Sequence, residues 1–383
     1  MMDVLGLIDF TQIGKIITFL IVLSVLVVLH EYGHFILARL NGVRVLEFAV
    51  GFGPKIIGRA SKRSGTMYSI RALPLGGYCQ MQGEDGKTSE AEQQREYRDV
   101  TPAAARAYAP DNFQSKTAWQ RLAIIVAGPA ANFLLCLAIL FVSAAFFGVP
   151  SSGEQPVVGP LVAGMPGARA GLHAGDRIVA VNGRPILSGQ QLIDTIHGSL
   201  NKRLKISYRR DGQVSTVSVM PAHCPAPMSP KLACIGFNPI AAYRHAGLGE
   251  AFSSALADFK TIAETTILGV GMLFAHPQRY AGGVHGIVGM GQAATQIQDF
   301  GWAPYFFFAA VISFALGLFN LLPVPALDGG RAAFIIAELV RGKPVDPEKE
   351  AIVHIAGFAA LLALILIVTF HDITNIVQGK SVF

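Results

Sequence analysis

Four stretches of the sequence are long enough and apolar enough to cross a lipid bilayer as α-helices. They cover residues 16–38, 122–149, 301–327 and 351–370. Hydrophobic residues make up 52% of the sequence and charged residues only 15%, and the mean hydropathy is +0.46. Because a soluble protein of this size carries more charge, the sequence predicts a polytopic α-helical membrane protein. The first stretch is too long for a removable signal peptide and lacks a small-residue cleavage site, so we interpret it as a retained helix.

The basic residues are distributed unevenly between the segments that connect these stretches. Residues 39–121 contain 13 Lys and Arg, and the short segment 328–350 contains four. The longer segment 150–300 contains 12. Since cytoplasmic loops are enriched in Lys and Arg, we expect 39–121 and 328–350 in the cytoplasm, with 150–300 and both termini outside. The net charge of +6 reflects this bias and indicates no nucleic-acid partner.

The first apolar stretch contains the sequence His30-Glu31-Tyr32-Gly33-His34, an H-E-x-x-H motif. Residues four apart share one face of a helix, so two imidazoles can bind a single metal ion. Glu31 can then act as general base on a metal-bound water. It is the only formal charge between Lys15 and Arg39, and such a group inside a membrane costs at least about 2.5 kcal/mol. The alternative is a structural pair of histidines that are satisfied by backbone carbonyls.

Short alternating runs follow the first stretch, at residues 43–50 and 66–81, which predicts a small β-hairpin. The runs are interrupted by Gly51-Phe52-Gly53-Pro54 and by Gly76-Gly77. The apolar surroundings favour either a hairpin that dips into the bilayer or an ordinary cytoplasmic one.

The polar segment 84–116 is predicted to be a partly helical surface segment. In the second stretch, small residues from Ala127 to Asn132 predict close helix packing and a Pro kink, and Asn132 is interpreted as a packing residue.

Residues 150–240 change character to short strands with turns. The sequence Gly171-Leu172-His173-Ala174-Gly175-Asp176 leads into a strand at 177–181 and an Asn-Gly turn. A helix at 189–200 and strands at 203–209 and 214–220 are predicted to follow. This segment resembles a PDZ domain, an α/β fold that captures an extended peptide or a protein's C-terminus by strand addition. A different β-sandwich is the alternative.

Two cysteines of this exported segment, Cys224 and Cys234, are predicted to form a disulfide, with two free thiols as the alternative. Residues 241–300 are amphipathic. They are expected to include a helix at 247–274 that lies on or beside the outer membrane face and does not cross it. The predicted domains are therefore 1–149, 150–240, 241–300 and 301–383.

A second motif ends the third apolar stretch, Asn320-Leu321-Leu322-Pro323-Val324-Pro325-Ala326-Leu327-Asp328-Gly329-Gly330. Two prolines break the helix, and an aspartate follows at its predicted cytoplasmic end. Asp328 can complete a His/His/Asp zinc site that keeps one position open for water. The alternative is an aspartate that pairs with Arg331.

The combination of these two motifs resembles the site-2 protease family of intramembrane zinc metalloproteases, and most of all its branch of bacterial sigma-E regulators. The resemblance covers nearly the whole sequence, including the glycine-rich turn of the hairpin, the small-residue segment of the second stretch and one PDZ-like domain. It implies one Zn²⁺ per molecule, with His30, His34 and Asp328 as ligands and Glu31 as catalytic base.

The resemblance also implies what the other motifs do. Asn320 and Pro323 would help to position the substrate backbone, and the hairpin with Gly51 and Gly53 would pair with an unwound substrate strand. The substrates implied are single-span proteins of a bacterial inner membrane, such as anti-sigma factors or remnant signal peptides, after a first extracytoplasmic cut. This branch often has two tandem PDZ domains that exclude untrimmed substrates, whereas 150–240 has room for one.

Two other interpretations differ from this one in testable ways. A CaaX-type or heat-shock-type membrane metalloprotease also contains H-E-x-x-H, but its third ligand is expected to be a glutamate from a later helix. A non-catalytic membrane scaffold would act through its PDZ-like domain alone and would need no zinc.

Overall fold

Four long helices of the computed structural model are apolar enough to cross a membrane, which confirms the predicted polytopic class. The structure describes residues 10–84, 110–150, 155–159, 161–162, 164–224, 232–237, 239–240, 243–277, 285–343, 345 and 347–378. The four helices are α1 (Phe10–Leu40), α2 (Ala118–Phe147), α7 (Trp302–Leu321) and α9 (Pro347–Val377). The third span is shorter than the predicted 301–327, because the backbone leaves the helix before Pro323 and Pro325. The fourth is longer than the predicted 351–370.

The hairpin predicted after the first span is present as two long, bent strands, β1 (Val45–Ala60) and β2 (Met67–Met81). Residues 47–50 pair on one side with 77–80 and on the other with 67–70. The two bent strands therefore form a sheet in which residues 47–50 are the central segment. Its base packs in a buried apolar cluster with Ile124 of α2 and Ile335 of the short helix α8 (Asp328–Arg341). The cluster also contains Ala38 of α1, so the sheet packs against α1 and α8, which carry parts of the two sequence motifs. The predicted polar segment 84–116 lies mostly outside the described residues, apart from a 3₁₀ turn at Phe113–Ser115.

A six-stranded antiparallel sheet and two helices form the PDZ-like domain. The strands are β4 (Val157–Val158), β5 (Arg177–Val181), β6 (Arg184–Pro185), β7 (Leu204–Arg210), β8 (Gln213–Val219) and β11 (Pro239–Ile240). Their order is β11-β4-β5-β7-β8, with β6 paired to β5, and the helices are α3 (Pro166–Arg169) and α4 (Gly189–His197). The buried residues of β5 and β7 fill an apolar core with Leu172 and Leu192. One PDZ-like domain is thus present, as predicted.

Several short elements complete the exported segment. These are β3 (Val149–Pro150), which pairs with β12 (Tyr243–Arg244), and β9 (Ala222–His223), which pairs with β10 (Ala233–Cys234). Cys224 and Cys234 are joined in a disulfide at the end of the β9–β10 pair. The predicted amphipathic helix forms as α5 (Leu248–Ala275) and is not among the helices apolar enough to span. A further helix, α6 (Ile287–Gln298), was not predicted within 241–300.

The protein divides into two compact units. One contains residues 1–140, 258–295 and 307–382, and the other contains 141–257 and 296–306. The second unit extends beyond the predicted 150–240 because it includes the ends of neighbouring helices. The residues of both sequence motifs belong to the first unit.

Candidate active site

The two histidines of the first motif lie one turn apart on α1 and face each other. Their ring centroids are 4.9 Å apart and the ring planes cross at 83°. The two Nε2 atoms are separated by 3.3 Å. Helical periodicity explains this pairing, since His30 and His34 are four residues apart on a continuous helix. Both side chains are buried, so the polar ends of two rings meet inside the protein.

Asp328 comes from the other end of the sequence and completes a triangle with these two rings. Its Oδ2 atom lies 3.0 Å from Nε2 of His30 and 3.2 Å from Nε2 of His34. The alternative partner of Asp328, Arg331, forms an ion pair with Glu84, whereas Asp328 itself faces the histidines. The third candidate ligand beside the two histidines is therefore an aspartate at the start of a short helix, and not the glutamate that a CaaX-type enzyme would use.

A tight loop between α7 and α8 places Asp328. Ala326 in this loop has φ +75°, a left-handed conformation that is unfavourable for a residue with a Cβ. Its N–H donates to Nδ1 of His354 on α9 at 3.0 Å, and this contact helps to hold the loop. A Cβ on Gly329 would lie 2.2 Å from the carbonyl oxygen of Leu322, and one on Gly330 would lie 2.4 Å from that of Val324. The two glycines after Asp328 are thus required by close backbone contacts.

Close contact between α1 and α2 depends on two more glycines. A Cβ on Gly33 would lie 2.3 Å from the carbonyl oxygen of Ala127, and one on Gly128 would lie 2.2 Å from Nε2 of His34. Any larger residue at either position must push the helices apart or displace the ring. The small-residue segment of α2 therefore does more than pack, because it leaves the space that His34 occupies.

The outer nitrogens of both rings contact α2. His34 Nδ1 donates to the backbone carbonyl of Ile124 at 2.8 Å, and since a carbonyl can only accept, this nitrogen carries the proton. His30 Nδ1 lies 3.2 Å from the side-chain amide of Asn132, which is 0% exposed. The backbone oxygen of Asn132 accepts from Ser313 of α7 at 2.8 Å, so three helices fix the position of this residue.

Glu31 reaches the β1–β2 sheet with its carboxylate. Its Oε2 atom accepts the backbone N–H of Cys79 at 3.0 Å. It remains near enough to interact electrostatically with His30, His34 and Asp328. The edge of the β2 strand and the acidic group of the motif are therefore in direct contact.

The predicted substrate-positioning residues lie on the elements that surround this site. Asn320 is in the last turn of α7 and donates to the carbonyl of Leu316 at 3.0 Å, and Pro323 is exposed in the loop that follows. Gly51 and Gly53 have φ of +89° and +83° and form the bend of β1. A Cβ on Gly51 would lie 2.6 Å from the carbonyl oxygen of Leu73, so the bend needs glycine. No contact joins these four residues to the triangle among the interactions of the described residues.

Asn132 is the residue whose place in the site the sequence interpretation missed. Its spacing carried a signal that the packing interpretation does not use. Gly128 and Asn132 are four residues apart on α2, as His30 and His34 are on α1, so each pair occupies one helix face. In the structure Gly128 faces His34 and Asn132 faces His30.

The three facing atoms fit the coordination of a zinc ion. Ligands at about 2.0–2.1 Å from zinc in a tetrahedron lie about 3.3 Å from one another. The three separations here, 3.0, 3.2 and 3.3 Å, are close to this length. A second cluster, formed by His197, Cys224 and Cys234, has comparable spacing, but its sulfur atoms are bonded to each other and offer no thiolate.

One family model matches most of the sequence. Residues 18–364 match the family model described as Peptidase family M50. The sequence is 32% identical to the zinc metalloprotease RasP of Bacillus licheniformis, over 95% of this protein and 99% of that one. It is 30% identical to the regulator of sigma-W protease RasP of Bacillus subtilis, with the same coverage. A crystal structure of the PDZ domain of an SdrC-like protein from Listeria monocytogenes is 24% identical and covers 24% of this protein and 94% of that one, with a TM-score of 0.21.

Proposed function

The protein belongs to peptidase family M50, and from this membership we propose that it is a zinc endopeptidase that cuts within membrane-spanning segments. His30, His34 and Asp328 are the zinc ligands, with one ion per molecule, and Glu31 is the general base. The observation that carries the proposal is the triangle of ligand atoms 3.0–3.3 Å apart, formed by residues from opposite ends of the sequence. The names of the relatives, which are zinc metalloproteases, support the choice of metal.

When bound at such a site, zinc supplies Lewis acidity, which polarises a carbonyl and makes a water molecule acidic near neutral pH. The protein's own residues carry out the proton transfers. Glu31 takes a proton from the attacking water and gives it to the amine that leaves, so the C–N bond breaks after the new C–O bond forms. The backbone amide of Cys79 orients the Glu31 carboxylate for this task, because it holds one oxygen and leaves the other available.

The outer contacts of the two histidines prepare their inner nitrogens to bind metal. His34 already carries its proton on Nδ1, so Nε2 has a free lone pair. We assign the same tautomer to His30. The side-chain oxygen of Asn132 is buried without a partner among the described residues, while its nitrogen faces His30 Nδ1. Since the two ends of an amide are assigned from their partners, rotating this amide lets its oxygen accept from Nδ1–H.

The substrate is a single-span membrane protein. A membrane helix hides its carbonyls in hydrogen bonds, so it must unwind locally before it can be cut. The β1–β2 sheet compensates for the lost bonds by pairing with the unwound strand, and its contact with Glu31 supports this role. Asn320, Pro323 and the bend at Gly51 and Gly53 help to position that strand. Anti-sigma factors, after a first cut outside, and remnant signal peptides are the substrates that we expect, in line with the B. subtilis relative's name.

We place the enzyme in a bacterial inner membrane, with the active site near the cytoplasmic side and the PDZ-like domain and both termini outside. The 13 Lys and Arg of residues 39–121 support this orientation. The PDZ-like domain would take an extended peptide or a protein's C-terminus by strand addition. With one such domain, size exclusion of untrimmed substrates would depend on a single module.

The experiment is cleavage of a single-span substrate in cells that produce wild-type enzyme or Glu31→Gln. We expect the variant to lose activity by about a hundredfold to ten-thousandfold, the usual contribution of a general base. It should keep its zinc, whereas His34→Ala should lose it, as elemental analysis of the purified proteins will measure. Glu264→Gln is the matched control, since Glu264 is an exposed carboxylate of α5. Turnover by Glu31→Gln at the wild-type rate excludes the general-base role, and equal zinc content in His34→Ala excludes the ligand set.

A further inference from the structure

A cavity of about 360 Å³ lies between the last turns of α1 and the turn that joins β1 to β2. We call it the interfacial pocket. It is lined by Phe35, Ile36, Arg39, Leu40, Ser61, Arg63, Ser64 and Tyr68. Because α1 is one of the helices able to span the membrane and ends at Leu40, this pocket lies where that span ends. It is separate from the residues of the proposed active site.

Two guanidinium groups give the interfacial pocket its charge. Arg39 and Arg63 both line it and both are exposed. Residues 48–83 contain five Lys and Arg and no Asp or Glu. The described acidic residues that flank this segment have other partners, since Glu47 is bound by Arg71 and Glu84 by Arg331. The pocket is thus a site of concentrated positive charge.

Hydroxyl groups add hydrogen-bond donors to this charge. Ser61 Oγ accepts the backbone N–H of Ser64 at 3.3 Å, so its own proton stays available to donate. Arg39 stacks over the ring of Phe35, with the guanidinium carbon 5.9 Å from the ring centroid, which orients it at the pocket. The partial negative charge at the C-terminus of α1, about half an elementary charge, opposes an anion here. Two full positive charges outweigh it.

The remaining wall of the interfacial pocket is apolar and continues along the helix. Ile36 is 36% exposed and Leu40 is 76% exposed. Nearer the N-terminus of α1, the side chains of Ile21, Val25 and Tyr32 are also exposed, and with Ile36 and Leu40 they form one apolar strip along the helix. On a membrane-spanning helix these side chains face lipid, so a fatty acyl tail can lie along the strip while its headgroup is in the pocket.

We propose that the interfacial pocket binds an anionic phospholipid, with its phosphate between Arg39 and Arg63 and an acyl tail along Ile36 and Leu40. Charge complementarity selects an anion, and guanidinium groups are well suited to phosphate oxygens. The adjoining apolar strip favours a lipid over free phosphate or an acidic peptide, because neither of those would cover it. Basic residues beside a membrane span attract anionic lipids in general, but here the attraction is focused on a defined cavity.

The test compares two double variants of the full-length protein that remove the same charge. Arg39→Gln/Arg63→Gln empties the interfacial pocket of its cations, whereas Lys55→Gln/Arg59→Gln removes two exposed cations of β1 that do not line it. Native mass spectrometry from detergent will measure binding of phosphatidylglycerol and phosphatidylcholine. We expect the first variant to bind phosphatidylglycerol about tenfold more weakly than wild type, and the second to remain within about twofold. Thermal unfolding of each variant will establish that both are folded, and Arg39→Lys/Arg63→Lys should retain most of the affinity even if the Gln variant is unstable.

Several results would overturn the proposal. Equal losses in the two Gln variants would mean diffuse attraction without a site. Equal binding of phosphatidylglycerol and phosphatidylcholine by the wild type would exclude charge selection. If glycerol phosphate or a soluble acidic peptide displaces phosphatidylglycerol at equal concentration, the occupant is not a lipid. Leu40→Asn should weaken binding of the lipid but not of glycerol phosphate, and failure to do so would contradict the contact with the acyl tail.

Discussion

The two compact units of the protein each contain a carboxylate that is withdrawn from solvent, fully in one unit and partly in the other, and they satisfy it in opposite ways. In the PDZ-like domain, Asp176 is 1% exposed, and Arg210 binds both of its oxygens at 2.6 Å. The backbone N–H of His173 adds a third bond at 2.8 Å. In the other unit, which contains residues 1–140 and 307–382, Asp328 faces two imidazoles. In the proposed role as zinc ligands, those imidazoles would be neutral and would offer lone pairs, which repel the carboxylate oxygens, whereas Arg210 attracts them.

This difference separates a structural ion pair from the proposed metal site. Asp176 and Arg210 balance each other's charge, so the arrangement is complete within the protein. In the proposed site, Asp328, His30 and His34 would present three electron pairs to one point, where a metal cation would satisfy them together. The surroundings differ accordingly, because Asp176 belongs to a domain with an apolar core, while the surroundings of the histidines include small residues and a buried amide.

The largest effect is expected from filling the space beside His34. Gly128→Val should displace the ring, because a Cβ at this position would lie 2.2 Å from Nε2. We expect zinc content, measured by elemental analysis, to fall at least about tenfold and proteolysis to be lost. Gly14→Val is the control, since nothing lies within 4 Å of a Cβ at that position of α1. A Gly128→Val protein with normal zinc would mean that the close contact between α1 and α2 does not position the ligand.

A smaller effect on the same site should come from the residue behind His30. Asn132→Leu removes the acceptor that we assign to Nδ1–H of His30, and it should weaken zinc binding by about 10- to 100-fold. Asn132→Asp keeps an acceptor in the same place and should retain the affinity. Competition with a chromophoric chelator will measure both. If Asn132→Asp binds zinc as weakly as Asn132→Leu, the amide acts through packing and the tautomer assignment is wrong.

The smallest effect on zinc binding is expected from breaking the ion pair between Asp176 and Arg210. Asp176→Asn should destabilise the PDZ-like domain by about 1–3 kcal/mol at neutral pH, because Arg210 loses its charged partner, and should leave zinc binding unchanged. Hydrogen exchange of peptides from residues 164–224 in the full-length protein will report the change as faster exchange. A loss of zinc in this variant would contradict the contrast between the two carboxylates.

The pH dependence of that effect follows from the pKa of Asp176. Burial alone would raise this pKa, but the hydrogen bonds from Arg210 and from the His173 amide outweigh burial and lower it below its ordinary value of 3.8. The ion pair therefore stabilises the PDZ-like domain fully when the pH is above the ordinary pKa of Asp176. This stabilisation is lost as the pH falls through the lowered pKa that Asp176 has in the folded protein. The difference in exchange between wild type and Asp176→Asn should thus be full at pH 7 and should shrink at low pH.

Much of the fold could be predicted because its signals are local. The four spans follow from the lengths of the apolar stretches, and the strand at 177–181 follows from the glycine turn before it and the Asn-Gly turn after it. His30 and His34 face each other because helical periodicity places residues four apart on one side. The end of α7 was predicted too late, since the helix stops two residues before Pro323.

By itself the sequence determined the four membrane-spanning helices, the two strands of the hairpin and the chemical types that a metal site needs. Only the tertiary structure decided that Asp328 meets residues 298 and 294 positions away, that Asn132 faces His30, and that the amide of Cys79 holds Glu31. The reason is physical. A repeat of 2 or 3.6 residues fixes which face of an element a side chain occupies, but which faces meet depends on where glycines let helices and loops approach closely, and those contacts join residues with no periodic relation in the sequence.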